Sequence, residues 1–185
     1  YPLLAVGDYL KSIGSGNVTV EFMGSVGSYK EEFTRRFVKV HGIMGSKVRR
    51  YFSPLSLLDG PKFLVSLIQS FFKMLFVMPD VVFATGGAVS YAVVRAAKFY
   101  RIPVVIYESD AVASVSTRAS AKRARRIGLN FQEAMDSLPK KVDQKVFVSG
   151  HPLRLSFKPG VFDATSAKMR FGSEANTPLL LVLGG

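Results

Sequence analysis

The apolar positions change their period several times along the chain, and each change marks a new element. Leu3, Leu4, Val6 and Leu10 recur at helical spacing behind Pro2, whose missing N–H suits a first helical turn. They predict a helix that stops near Gly14. Asn17 to Met23 reads as a strand ending at Gly24, Ser28 to Arg36 as a polar helical segment, and Phe37 to Val40 as a short strand. His41 to Ser53 is a loop containing Gly and Arg. Pro54 to Met78 is helical, with a break expected at Gly60-Pro61.

The pattern then becomes regular. Val81 to Ala84 is a buried strand, Thr85-Gly86-Gly87 a turn, Ala88 to Tyr100 a helix and Pro103 to Tyr107 the next strand. A polar loop leads to a helix over Ser116 to Arg125. Arg126 to Leu129 is extended, Phe131 to Ser137 a short helix and Lys145 to Val148 a strand. Asp163 to Phe171 is a helix with Asp163 as its cap, and Leu179 to Leu183 a last strand. Strands alternating with helices predict an α/β fold, a Rossmann-like parallel sheet with helices on both faces. Lys158 to Pro178 is poor in strand signals and reads as a linker. The expected division is therefore residues 1–157 as one domain, and 158–185 as a linker plus the first strand of a second α/β unit.

Composition narrows the function. The 185 residues carry 25 Lys and Arg against 13 Asp and Glu, a formal charge of +12, which suggests an anionic partner. There is no Cys, so disulfides, thiolate metal sites and Cys nucleophiles are excluded. His41 and His151 are the two histidines, so a multi-His metal site is not expected. No basic n-region precedes the opening apolar residues, so no secretory signal is visible. The absence of a first Met places the expected start of the protein upstream. The apolar run Phe63 to Met78 contains Ser66, Gln69 and Lys73 and falls short of the roughly 20 apolar residues of a spanning helix. A soluble, membrane-associated chain is the expectation.

Several segments carry candidate chemistry. Thr85-Gly86-Gly87-Ala88-Val89-Ser90 joins a strand to a helix, where glycines allow close backbone approach and helix N–H groups favour anions. The same pattern also serves as a plain tight turn. Glu108 and Asp110 follow the next strand and suit sugar hydroxyls or proton transfer, or else simple helix capping. In Gly150-His151-Pro152-Leu153-Arg154, Arg154 is a fork for phosphate or carboxylate, and His151 is a candidate base or a solvated loop side chain. Arg118, Lys122, Arg123, Arg125 and Arg126 form a basic run that, with Lys47, Arg49 and Arg50, makes an electropositive surface or a solvated helix face. Phe63 to Met78 reads as a core helix by default, or as an interfacial patch.

Taken in order, these segments resemble the MurG family, bacterial peptidoglycan glycosyltransferases that add N-acetylglucosamine to undecaprenyl-diphospho-muramoyl-pentapeptide. Tyr1-Pro2-Leu3-Leu4-Ala5-Val6 resembles the start of the helix that follows the family's Gly-rich loop. Pro79-Asp80-Val81-Val82 with Gly86-Gly87-Ala88-Val89-Ser90 resembles its Pro-Asp-Val-Val and Gly-Gly-Tyr-Val-Ser. Tyr107-Glu108-Ser109-Asp110 resembles His-Glu-Gln-Asn, and Gly150-His151-Pro152-Leu153-Arg154 resembles Gly-Asn-Pro-Val-Arg. Leu180 to Gly185 resembles the first strand of the second domain. Ala88, Tyr107 and His151 depart from the usual Tyr, His and Asn.

The resemblance implies the N-terminal half of a two-domain GT-B glycosyltransferase. It implies Gly86, Gly87 and Ser90 for the acceptor diphosphate, and Asp110 and Arg154 for the donor. Asp110 stands in for an Asn and so loses two donors. Direct, inverting displacement by the acceptor's 4-hydroxyl is implied, needing a base. The family's proposed base, a His, would lie before Tyr1; within this chain Glu108 is the candidate. The implied partners are UDP-N-acetylglucosamine, the undecaprenyl-diphosphate-linked acceptor and an anionic membrane at the cytoplasmic face of the bacterial inner membrane. No cofactor, metal or nucleic acid is implied, and the chain alone is expected to be inactive. The alternatives are an acceptor-binding subunit of a split lipid-linked sugar transferase, a related transferase with another acceptor, and a basic nucleic-acid-binding module.

Overall fold

A computed structural model describes residues 2–14, 16–25, 27, 30–36, 39–45, 56–153, 163–174 and 176–180. The elements run α1 (Pro2–Ile13), β1 (Phe22–Gly24), α2 (Lys30–Arg36), β2 (Val40–Gly42), α3 (Ser56–Val77), β3 (Val82–Ala84) and α4 (Ala88–Phe99). They continue with β4 (Val104–Glu108), α5 (Val115–Ser120), β5 (Arg126–Leu129), β6 (Val146–Val148) and α6 (Ala164–Arg170). The strands form two parallel sheets, one of β1 and β2 and one ordered β3-β4-β5-β6. The register of the second sheet places Ala84 beside Ile106, and Ile106 beside Ile127.

The α/β architecture with parallel pairing agrees with the sequence pattern, and the alternation along β4 shows why. Val104, Ile106 and Glu108 share one face of the strand. Val104 and Ile106 join Ala84, Ile127 and Leu129 in the main core, together with Val93, Val94 and Ala96 of α4. A smaller core joins Leu4 of α1 and Phe33 of α2 to Val20, Phe22 and Val40.

Several boundaries differ from the pattern. β1 is shorter than Asn17–Met23, because Asn17 to Glu21 form no ladder. The break expected at Gly60-Pro61 does not occur: α3 runs through Pro61. A proline near a helix start removes one intrahelical bond there and leaves the following turns intact. The helix expected over Ser116–Arg125 tightens into a 3-10 turn at Ala121–Arg123, and Phe131–Ser137 is 3-10 over Gln132–Ser137. Asp163 caps α6 as expected, accepting from Thr165 N at 3.0 Å. Its hydrogen bonds, first that from Ser166, hold its carboxyl below the usual range. Leu179 and Leu180 are exposed and outside any strand; the rest of the expected Leu179–Leu183 strand lies outside the described residues.

Helix α3 inverts the usual arrangement of a surface helix. Ser66 and Ser70 are both 0% exposed and Met74 is buried with them. Each serine hydroxyl donates back to its own helix, Ser66 to Phe63 O at 2.9 Å and Ser70 to Ser66 O at 2.7 Å. These small side chains share the helix face turned to α4, and aromatic contacts flank it: Phe63 with Tyr91 at 5.9 Å and Phe71 with Phe99 at 5.1 Å. Leu64, Ile68, Phe72, Leu75 and Phe76 occupy the outer arc and are exposed. The 19 residues Asp59–Val77 are long and apolar enough to cross a membrane by composition, but the serine face ties the helix to the domain. Ser70→Leu is expected to force α3 from its neighbours at a cost of about 1–3 kcal/mol, read as a lower melting temperature. An unchanged melting temperature would mean that the interface has room to spare.

Candidate functional site

The chain leaves β3 through Thr85 and two glycines at φ +82° and +87°, a region that L side chains rarely adopt. Gly87 stands at the N-cap position of α4, and no side chain caps that end. The first amides of an α-helix lack partners within the helix, and its dipole favours negative charge there. Gly86, Gly87 and Ser90 line one groove of about 890 Å³, so the three residues expected to act together do lie together.

The turn rests on hydroxyls from the start of α5. Gly87 N donates to Ser116 Oγ at 2.8 Å. Ser116 Oγ lies 3.0 Å from Ser114 Oγ, and Ser114 donates to Thr117 Oγ1 at 3.0 Å. Ser114 also caps α5 by accepting from Thr117 N at 3.2 Å. Sequence reading missed this cluster. The signal was Ser114-Val115-Ser116-Thr117 ahead of a helix, a hydroxyl run of the kind that caps helices. Its consequence is that the Gly87 amide is already engaged, and the uncapped end of α4 supplies the open donors.

Glu108 ends β4 on the core face and is 4% exposed. Its two carboxylate oxygens accept from Ser114 N at 2.9 Å and Asp110 N at 3.3 Å. Asn130 pins the same loop from the next strand, donating through N to Glu108 O at 2.9 Å and through Nδ2 to Ser109 O at 3.1 Å. Asp110 is exposed, with Ser109 donating to its Oδ1 at 3.4 Å. Neither Glu108 nor Asp110 lines the groove that holds Gly86.

Tyr107, 2% exposed, reaches along the sheet to the loop after β6. Its hydroxyl is 3.2 Å from His151 Nδ1 and 3.4 Å from Gly150 O, and can donate to either. Burial, and next the Glu108 carboxylate, push its pKa up, so the phenol keeps its proton at neutral pH. Tyr107 and His151, two of the departures noted in the sequence, are thus partners in space. Arg154, Lys47, Arg49 and Arg50 lie outside the described residues. Of the basic run, Arg123 donates to Ala119 O at 2.8 Å and Arg126 to Gln144 O at 3.4 Å, while Arg118, Lys122 and Arg125 are exposed. Among the described residues no group of three or more acidic or His side chains is placed to hold a metal.

Comparison of the sequence with known proteins identifies a family. The profile described as the glycosyltransferase family 28 N-terminal domain matches residues 1–129 of the 185. The UDP-N-acetylglucosamine–N-acetylmuramyl-(pentapeptide) pyrophosphoryl-undecaprenol N-acetylglucosamine transferase of Treponema denticola is 40% identical over 144 residues, covering 78% of this chain and 36% of the relative. The enzyme of the same name from Legionella pneumophila strain Lens is 36% identical over 167 residues, covering 90% of this chain and 45% of the relative. The chain thus spans less than half the length of these two relatives. The crystal structure of Acinetobacter baumannii MurG superimposes with a TM-score of 0.62 at 22% identity, over 86% of this chain and 43% of that one. It shows the same Rossmann-like fold.

Proposed function

The chain belongs to the glycosyltransferase family 28 N-terminal domain family, and from that premise we propose that it is the acceptor-binding and membrane-facing half of an inverting glycosyltransferase. The whole enzyme would move N-acetylglucosamine from UDP-N-acetylglucosamine to undecaprenyl-diphospho-muramoyl-pentapeptide in peptidoglycan synthesis, the reaction named for the relatives. On this reading residues 1–157 are the acceptor domain, and 158–185 lead toward the donor domain.

The observation that carries the reading is the uncapped N-terminus of α4 behind the Gly86-Gly87 turn, at the carboxyl end of a parallel strand. Ligands of open α/β sheets sit outside those strand ends, and amides there suit a diphosphate. The acceptor's 4-hydroxyl would attack the sugar's anomeric carbon as the bond to UDP breaks. UDP leaves with the electron pair, and the hydroxyl proton passes to a base. Glu108, buried with both oxygens engaged by main-chain N–H groups, suits a positioning role better than that of base. It fixes Ser114, whose hydroxyl cluster fixes Gly87. Asp110 and Arg154 keep the donor-contacting role that the family resemblance implies.

The outer arc of α3 suits a membrane surface at the cytoplasmic face of the inner membrane. Lys62 and Lys73 border the arc, and Arg95 and Lys98 of α4 are exposed nearby, so cations flank the apolar strip as an anionic bilayer requires.

Gly86→Ala tests the turn. An L residue at this φ costs about 1–2 kcal/mol, while its Cβ would meet Ser114 Oγ at an ordinary contact distance of 3.4 Å, so it is the backbone strain that should shift the turn. Calorimetry should then show about tenfold weaker binding of a short-prenyl diphospho-muramoyl-pentapeptide. Unchanged affinity in a folded variant would remove the turn from the acceptor site.

A further inference from the structure

We propose that Tyr107 is a positioning residue that reaches across β5 to hold His151 with Nδ1 turned to the phenol and a proton on Nε2, so that His151 offers one fixed N–H to a phosphate oxygen of a diphosphate ligand. The ligand half of this inference rests on the function proposed above; the pairing of Tyr107 with His151 does not.

Tyr107 belongs to β4 and His151 follows β6, and β5 lies between those strands. Two strand spacings amount to about 10 Å, so the loop after β6 must fold back over β5 to meet the phenol. The residues in between permit this. Tyr107, Gly128 and Phe147 stand in one row of the register, and Gly128 raises no side chain between the other two. A Cβ there would meet Phe147 Cζ at 3.2 Å and Ser149 Oγ at 3.3 Å. Ser149 fastens the loop to β5, donating through N to Leu129 O at 2.8 Å and through Oγ to the same oxygen at 3.3 Å. Gly150 then turns the chain at φ +67°, a region that suits glycine. Pro152 disfavours helical conformations of His151 and keeps its backbone extended. From β3, the Phe83 ring stacks on Tyr107 with centroids 6.4 Å apart and steadies the phenol.

The hydrogen-bond inventory then sets the tautomer. The phenol is 2% exposed, and burial raises its pKa, so it keeps its proton. Its shorter contact is to His151 Nδ1, 3.2 Å against 3.4 Å to Gly150 O. A neutral imidazole that accepts at one nitrogen carries its hydrogen on the other. Nε2 is therefore the N–H, and it has no protein partner among the described residues. The His151 ring is exposed beyond the carboxyl ends of β4 and β6, the side of a parallel sheet where ligands bind. An outward N–H there suits an anionic oxygen, and both proposed substrates carry a diphosphate. Tyr107 and His151 both depart from the family's usual His and Asn, so the pairing is a property of this chain.

Nitrogen NMR of the imidazoles in alkaline buffer, where they are neutral, reads the tautomer, and His151→Ala assigns the signals. The 185-residue chain should show His151 in the Nε2–H form alone. Tyr107→Phe, which removes only the hydroxyl, should let the Nδ1–H form appear. An Nδ1–H ring in the unaltered chain, or the same mixture of tautomers in both, overturns the pairing. Inorganic pyrophosphate, UDP-N-acetylglucosamine and the short-prenyl diphospho-muramoyl-pentapeptide are then added separately at millimolar concentration. The Nε2 resonance should move with pyrophosphate and with one or both substrates, and the substrate that moves it names the source of the diphosphate. His151→Ala should weaken that ligand about tenfold, Tyr107→Phe about threefold, and the double variant no more than His151→Ala alone. A resonance unmoved by pyrophosphate, or by both substrates, overturns the ligand contact. Acceptor binding detected by calorimetry alongside an unmoved resonance leaves the acceptor reading standing and removes this contact alone.

Discussion

Glu108→Ala is expected to destabilise the chain by about 2–3 kcal/mol, and Glu108→Gln by less than half of that. The carboxylate accepts two main-chain N–H groups, from Ser114 at 2.9 Å and Asp110 at 3.3 Å. Hydrogen bonds to a charged group are worth about 1.5–3 kcal/mol, but the longer bond goes to an exposed residue, so its share is small. For a chain of this size the loss corresponds to a fall of about 4–12 °C in melting temperature. Gln keeps an acceptor for Ser114 and so keeps most of the loop. The same pair separates positioning from proton transfer in an enzyme that includes the donor domain. A positioning Glu108 leaves the Gln variant largely active, with the defect concentrated in acceptor KM. A base makes Gln as inactive as Ala, with the loss in kcat. Equal inactivation of both variants would restore Glu108 as the base.

Replacing Phe72 and Phe76 together by Asp is expected to weaken binding to vesicles by about 100-fold or more, with no loss of stability. Phe76 is 84% exposed and Phe72 61%, so neither contributes to the core. Inserting a Phe side chain into an apolar phase gains about 1.5–3 kcal/mol, and two of them exceed the roughly 1 kcal/mol that each Lys or Arg adds near an anionic surface. The apolar term therefore dominates. Lys62→Ser with Lys73→Ser should weaken binding less, and only on vesicles containing anionic lipid. Co-sedimentation with phosphatidylglycerol and phosphatidylcholine vesicles reads both terms. Undiminished binding of the double Asp variant would show that α3 is not the docking face.

Sequence alone revealed the parts of this molecule whose causes are local. β4 and α4 are legible because short apolar runs and helical spacing meet clear turn residues at Gly86-Gly87 and Ile102-Pro103. The glycine turn was legible as a possible anion site for the same reason, and the structure sets Gly86, Gly87 and Ser90 on one groove. What escaped depended on distant partners. β1 is short despite the strand propensity of Val18, Thr19 and Val20, because Asn17 to Glu21 pair with no strand among the described residues. The outward Leu64 and Phe76 and the inward Ser66 and Ser70 of α3 share one helical period, and no pattern of hydrophobicity says that the serines face α4. The 3-10 turns at Gln132–Ser137 and Lys140–Lys145 have no periodicity to detect. Ser114 and Ser116 carried no signal that tied them to the glycine turn, and only the folded chain shows Ser116 holding the Gly87 amide with Ser114 behind it.

The claim that this chain is the acceptor half is tested most directly by calorimetric titration of the 185-residue chain with two ligands separately. One is a soluble short-prenyl diphospho-muramoyl-pentapeptide, the other UDP-N-acetylglucosamine. Saturable binding of the first, with the second at least about tenfold weaker, is the predicted result. Tighter binding of the sugar nucleotide, or no binding of the acceptor, would contradict it.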